Sequence, residues 1–152
     1  MSRYFPMFVS LEGKKVLVVG AGSVAERRTR SLLPFGCAIT VVAPQFAPGF
    51  REMPGLELVE RRFEDSDLEG VWLAVIATDN KEENAHIAAL CAGRGIIKNV
   101  ASDMDLCDFR FPALALTGEM TAGLCSTERT PALTKQMRKK LQEFLDGYHD
   151  EN

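Results

Sequence analysis

No stretch of this sequence approaches the roughly 20 apolar residues needed to cross a bilayer, so no membrane-spanning segment is expected. The start, Met1-Ser-Arg-Tyr-Phe-Pro-Met-Phe-Val-Ser10, lacks both a long apolar region and a small-residue cleavage site, so it does not read as a secretory signal. The expected location is cytoplasmic. Metal-binding patterns are missing too. His86 and His149 are the only histidines, and Cys37, Cys91, Cys107 and Cys125 form neither a Cys-x-x-Cys pair nor a zinc-type cluster. The thiols are expected to be free and mostly buried, and no resident metal site is expected. A net charge of −3 excludes a globally basic nucleic-acid binder. There is no internal repeat and no low-complexity stretch. What is there is an ordinary globular composition, 46% hydrophobic and 26% charged over 152 residues. That length holds one domain, or one domain with a small appendage.

The most informative segment is Val16-Leu-Val-Val-Gly20-Ala-Gly22-Ser-Val-Ala25. An apolar strand, introduced by Lys14 and Lys15, runs into Gly-x-Gly-x-x-Ala and then into a helix-forming stretch from Ser23 to Leu33. Each piece has a use in holding a dinucleotide. Gly20 permits the tight turn, Gly22 lets a pyrophosphate approach the backbone, and Ala25 lets helix pack on strand. The helix N-terminus offers unpaired N–H groups and a partial positive charge to the phosphates.

Apolar runs then alternate with helical patterns, the signature of a parallel α/β sheet. Strands are expected at 15–19, 38–43, 56–60, 71–77 and 96–100. Helices are expected from Ser23 to about Phe35, ended by Gly36, and from Lys81 to Arg94, ended by Gly95. Asp79 and Glu82 have the spacing of a capping box. Residues 44–55, with three prolines and two glycines, read as irregular with one short helical turn. After residue 101 the pattern changes. Extended runs at 109–117 and 120–126 flank Gly118-Glu119, a hairpin signal. Thr130-Pro131 opens a last helix whose apolar stripe is Leu133, Met137, Leu141 and Phe144 or Leu145. The expected architecture is a Rossmann-like parallel sheet over residues 1–105, then a small β region and a C-terminal helix over 106–152.

Ligands of such sheets sit beyond the carboxyl ends of the strands. That rule selects Gly20, Gly22, Ser23 and Val24, then Ala43 and Pro44, then Thr78 and Asp79, then Asn99 and Val100 with the residues through Asp103. Asp79 reads equally as a ribose ligand or as a helix cap. The second strand ends in Ala43-Pro44-Gln45 without the usual ribose-binding carboxylate. Arg27 and Arg28 read as solvated helix residues rather than a 2′-phosphate site, so pattern alone leaves NAD against NADP open. Residues 102–108, Ser-Asp-Met-Asp-Leu-Cys-Asp, put three carboxylates and a thiol in one segment. They suit a general base, a metal-handling patch or a polar loop. Arg129, Lys135, Arg138, Lys139 and Lys140 stand against Glu128, which suits an anionic small molecule or a solvated helix face.

Four segments resemble the precorrin-2 dehydrogenase/sirohydrochlorin ferrochelatase family, the dehydrogenase part of siroheme synthase. They are Tyr4-Phe5-Pro6-Met7-Phe8 through Lys15, Val16 to Arg28, Val75 to Asn80, and Asn99-Val100 followed by Leu106 to Ala113. The resemblance implies NAD-dependent oxidation of precorrin-2 to sirohydrochlorin, in some members followed by Fe²⁺ insertion. It implies a homodimer formed through the small β region, a helical C-terminal domain, and an anionic tetrapyrrole bound by Ser102, Ser126, Arg129 and Lys135. The family carries a catalytic aspartate where this sequence has Ser102, which makes the neighbouring Asp103 the candidate base. Two other readings stay open. One is a non-catalytic protein that binds NAD or a tetrapyrrole. The other is a ferrochelatase-like protein using Asp103, Asp105 or Asp108.

Overall fold

The computed structural model describes residues 4–127 and 130–149. They form two compact units, residues 9–109 and residues 4–8 with 110–149. Residues 106–109, assigned from sequence to the second unit, pack with the first. The reason is the anchoring of Asp108 to Lys98: the Asp108 carboxylate takes the Lys98 backbone N–H at 3.0 Å and its ammonium at 2.9 Å.

The larger unit begins with β1 (Lys15–Val19), where four of five residues are buried. α1 (Ser23–Leu32) follows and tightens into a 3₁₀ turn at Leu33–Phe35, because Pro34 has no N–H to continue the helix. Gly36, at φ +69°, ends it as expected. Then come β2 (Ala38–Ala43), a 3₁₀ turn at Pro48–Glu52, β3 (Leu56–Glu60), a second such turn at Asp65–Leu68, β4 (Leu73–Ile76), α2 (Lys81–Gly93) and β5 (Ile97–Val100). The strands pair in parallel in the order β3-β2-β1-β4-β5. Val18 lies beside Val41 on one side and Val75 on the other. The order reverses between β1 and β4, which is where such sheets bind ligands.

Alternation along the strands builds two cores. Leu17 and Val19 of β1, Val42 of β2 and Ala74 and Ile76 of β4 pack with Ile87, Ala88 and Cys91 of α2. Val16, Val18, Val41 and Val75, also buried, point to the opposite face. β4 is buried at every position, as a central strand covered on both faces must be. The crossover after β3 is pinned by Arg61, whose guanidinium meets Asp67 at 2.9 Å and holds that carboxyl below the usual range, chiefly by hydrogen bonding.

The smaller unit carries the antiparallel pair β6 (Ala113–Leu116) and β7 (Thr121–Leu124) and the helix α3 (Pro131–His149). The strands are shorter than the sequence pattern suggests, because Thr117 closes the turn by accepting the Met120 N–H on its hydroxyl at 3.0 Å. Gln142 of α3 grips the edge of β6. It accepts the Leu116 N–H at 3.0 Å and donates to the Leu116 carbonyl at 2.9 Å, as a neighbouring strand would. Ala115 and Leu145 are buried, but Leu133, Met137 and Phe144 of the expected apolar stripe are exposed. The helix meets its own hairpin along a narrower face than its sequence provides. No helix among the described residues is long and apolar enough to cross a membrane.

Candidate dinucleotide site

The C-terminal edge of the sheet gathers most of the residues selected from sequence. Gly20 leaves β1 at φ +95° and donates its N–H to Val42 at 2.9 Å. Ala77, continuing β4, donates to Val19 at 2.8 Å. The two chain segments come so close that a Cβ on Gly20 would run into the Ala77 carbonyl, 2.6 Å from its carbon. Gly20→Ala is therefore expected to cost about 1–3 kcal/mol in stability, from strained backbone and overlap together. A lower urea midpoint with unchanged slope would report it; an unchanged midpoint would contradict this account.

Gly22 is different. It caps α1 with ordinary extended backbone, at φ −83°, and a Cβ there would meet nothing within 4 Å. Ser23 and Val24 are exposed beside it. The first-turn amides of a helix have no intrahelical acceptor. Open space over Gly22, lined by such amides, fits a pyrophosphate. At the tip of β2, Ala43 is buried and Pro44 and Gln45 are exposed. No acidic side chain stands at 43–45.

At the end of β4 the cap of α2 is Asn80 and not Asp79: the Asn80 side chain accepts the N–H groups of Glu82 and Glu83 at 2.9 and 3.1 Å. Asp79, exposed, takes no part in it. Spacing to Glu82 suited Asp79, but the cap is set by the backbone, and Asn80 has the required extended conformation. Thr78 turns inward instead and binds Asn84, a residue not selected from sequence.

Beyond β5 the chain doubles back. Asn99, 4% exposed, donates to the Phe109 carbonyl at 2.8 Å. Val100 is a core residue whose N–H meets Cys107 Sγ at 3.1 Å. The Asn99 side chain and the Val100 backbone N–H thus hold the returning segment. Ser102 and Asp103 lie exposed at the loop between. Asp103 Oδ1 accepts the Asp105 N–H at 2.9 Å, and Ser102 Oγ accepts from Asn84 at 3.1 Å. Asp108 is paired to Lys98 instead, at 2.9 Å. Among the described residues, no group of three His, Cys, Asp or Glu is placed to hold a metal.

Arg28 is half-buried rather than solvated as expected, and burial lowers its pKa while the nearby Cys107 opposes that. The helix period could not reveal this, because the loop carrying Cys107 arrives from 79 residues away in sequence. All four cysteines are free, and burial pushes the Cys91 thiol up to about 11. Ser126 and Lys135 belong to the smaller unit, and Arg129 lies outside the described residues.

Residues 7–113 match the family described as "Putative NAD(P)-binding". The chain belongs to this NAD(P)-binding family. Over 93% of its length it is 38% identical to siroheme synthase 2 of Aeromonas salmonicida, and over the same share 37% identical to siroheme synthase of Pseudomonas aeruginosa. It spans 30–31% of the length of those relatives. Among solved structures, one of SirC, a precorrin-2 dehydrogenase, superposes with a TM-score of 0.70 at 28% identity, covering 92% of this chain and 70% of that one. D-lactate dehydrogenase of Escherichia coli shares the fold alone, with a TM-score of 0.51 at 21% identity over 66% of this chain and 32% of that one. Membership of an NAD(P)-binding family agrees with the open cradle at Gly22. The Rossmann-like sheet, small antiparallel sheet and C-terminal helix expected from sequence are all present.

Proposed function

We propose that this chain is a cytoplasmic NAD-dependent dehydrogenase that oxidises precorrin-2 to sirohydrochlorin in siroheme biosynthesis. The observation that carries the cofactor reading is the open space at the N-terminus of α1 over Gly22. The substrate reading rests on likeness to the siroheme synthases and to SirC across both units. Gly20 shapes the cradle. Gly22, Ser23 and Val24 face the pyrophosphate, Ala43 and Pro44 the adenosine side, and Thr78 and Asp79 the nicotinamide side. Bound NAD supplies the hydride acceptor. Asp103 takes the proton released from the macrocycle, so one hydride and one proton leave the substrate. Ser102 holds a carboxylate of the tetrapyrrole. Four free thiols suit a reducing compartment.

The test is NADH formation with precorrin-2. Turnover supports the dehydrogenase. Tight binding of the tetrapyrrole without turnover selects a non-catalytic binding protein, the reading favoured by Ser102 at the family's aspartate position.

A homodimer belongs to the same proposal. In the smaller unit Phe5 is 87%, Phe8 74% and Phe144 66% exposed, with Leu133, Met137 and Tyr148. So many large apolar groups on one small unit suit an association surface. Light scattering at tens of micromolar should report a dimer, since a Kd of about 1 μM corresponds to about −8 kcal/mol. A monomer at that concentration would count against it.

A further inference from the structure

Asn84 is 1% exposed, and a polar group at that depth needs partners. It sits on the face of α2 that also buries Ile87, Ala88 and Cys91. Its amide makes every hydrogen bond it can. Oδ1 accepts the Thr78 N–H at 3.2 Å and the Thr78 hydroxyl at 2.6 Å. Nδ2 donates to the Thr78 carbonyl at 3.0 Å and to Ser102 Oγ at 3.1 Å. Two acceptor sites and two hydrogens are thereby filled. The orientation is fixed by the Thr78 backbone, whose N–H can only donate and whose carbonyl can only accept. The remaining Nδ2 hydrogen must therefore face Ser102, and Ser102 must accept it. A hydroxyl has a single hydrogen, and here it is left over as a donor. Among the described residues no protein acceptor takes it. Ser102 is exposed, two residues beyond β5, which is the next strand outward from β4.

We propose that Asn84 is a positioning residue that holds the Ser102 hydroxyl as a hydrogen-bond donor toward an anionic oxygen of the substrate. The target is a carboxylate of the tetrapyrrole, which makes this a refinement of the dehydrogenase reading above. A dinucleotide lies across the switch point between β1 and β4, whereas Ser102 stands one strand further out, on the substrate side. Serine at this position binds and does not act as base: it offers a neutral donor to a negative group, and Asn84 prevents its hydrogen from turning inward.

Ser102→Ala removes the donor at an exposed position. It should raise KM for precorrin-2 about tenfold, as expected for one hydrogen bond to a charged group. Most of the loss should fall in KM rather than kcat. The Kd for NAD, titrated without substrate, should stay at the parental value. Ser102→Thr keeps the hydroxyl and should keep the parental KM. Asn84→Asp replaces the donating nitrogen by an acceptor, so Ser102 turns its hydrogen inward. KM should then rise as in Ser102→Ala, and the double variant should be no worse than either single one. A parental KM in Ser102→Ala, or losses that multiply in the double variant, overturns the proposal. Should Asn84→Asp not fold, hydrogen exchange decides. Both Nδ2 hydrogens of Asn84 should be protected in the parent, and one should lose protection in Ser102→Ala; equal exchange in the two proteins overturns it. A parent that binds no NAD would instead sink the dehydrogenase reading, so the two failures are read by different measurements.

Discussion

Gly22→Asp is expected to abolish NAD binding and leave the chain at least as stable as the parent. Both halves come from the same geometry. Gly22 has extended backbone at φ −83° and open space where a Cβ would go, so the new side chain meets no protein atom near its base. It also enters the N-cap of α1, where an aspartate is favoured over glycine by a few tenths of a kcal/mol. The carboxylate would take the amides that a pyrophosphate needs. At about 4 Å from a phosphate, at an effective dielectric constant of about 20, two like charges repel by about 4 kcal/mol. That is roughly a thousandfold in Kd. Titration of NAD against the variant measures binding, and urea denaturation measures stability. Binding near the parental Kd would show that the cradle is not the phosphate site. Gly20→Ala should behave in the opposite way, losing stability because Ala77 leaves no room. The two glycines of one motif are thus expected to separate by experiment, Gly20 through stability and Gly22 through NAD binding.

The sheet was legible because its central strands, β1, β2 and β4, are mostly apolar runs with sharp ends. The lysine pair Lys14-Lys15 at the start of β1, and Gly20 after it, mark the strand to within a residue. Backbone conformation was legible at the motif glycines: Gly20 takes a positive φ at the tight turn and Gly22 caps α1. Where side chains from distant segments meet, the pattern gave no access. Asp79 and Asn80 are adjacent and both are good caps, so which one turns over the helix depends on how β4 ends. Asn99 and Val100 sit at a strand end, as ligand-binding residues do, yet one holds Phe109 and the other fills the core. Asn84 did leave a signal. A lone polar residue on the stripe shared with Ile87, Ala88 and Cys91 must find partners in the interior. The stripe alone could not name them, because Ser102 lies 18 residues further on.

Asp103→Asn is expected to lower kcat by about 10²- to 10⁴-fold, the usual contribution of a positioned acid–base group, with the Kd for NAD unchanged. Asparagine isolates the proton-accepting role. Its Oδ1 can still accept the Asp105 N–H that Asp103 holds at 2.9 Å, so the loop keeps its turn. What is lost is the ability of the exposed carboxylate to take a proton from the macrocycle. A serine hydroxyl cannot replace it at neutral pH without a base beside it, and the groups bonded to Ser102 Oγ are not basic: its partner is the amide of Asn84. Adding Ser102→Asp to Asp103→Asn should restore part of kcat. Asn84 Nδ2 would hold a carboxylate there as it now holds the serine oxygen, while KM rises because the donor to the substrate is gone. Turnover within about threefold of the parent in Asp103→Asn alone would remove Asp103 as the base. Loss without any recovery in the double variant would mean that a carboxylate at 102 is not within reach of the proton, and would leave Asp103 as the base.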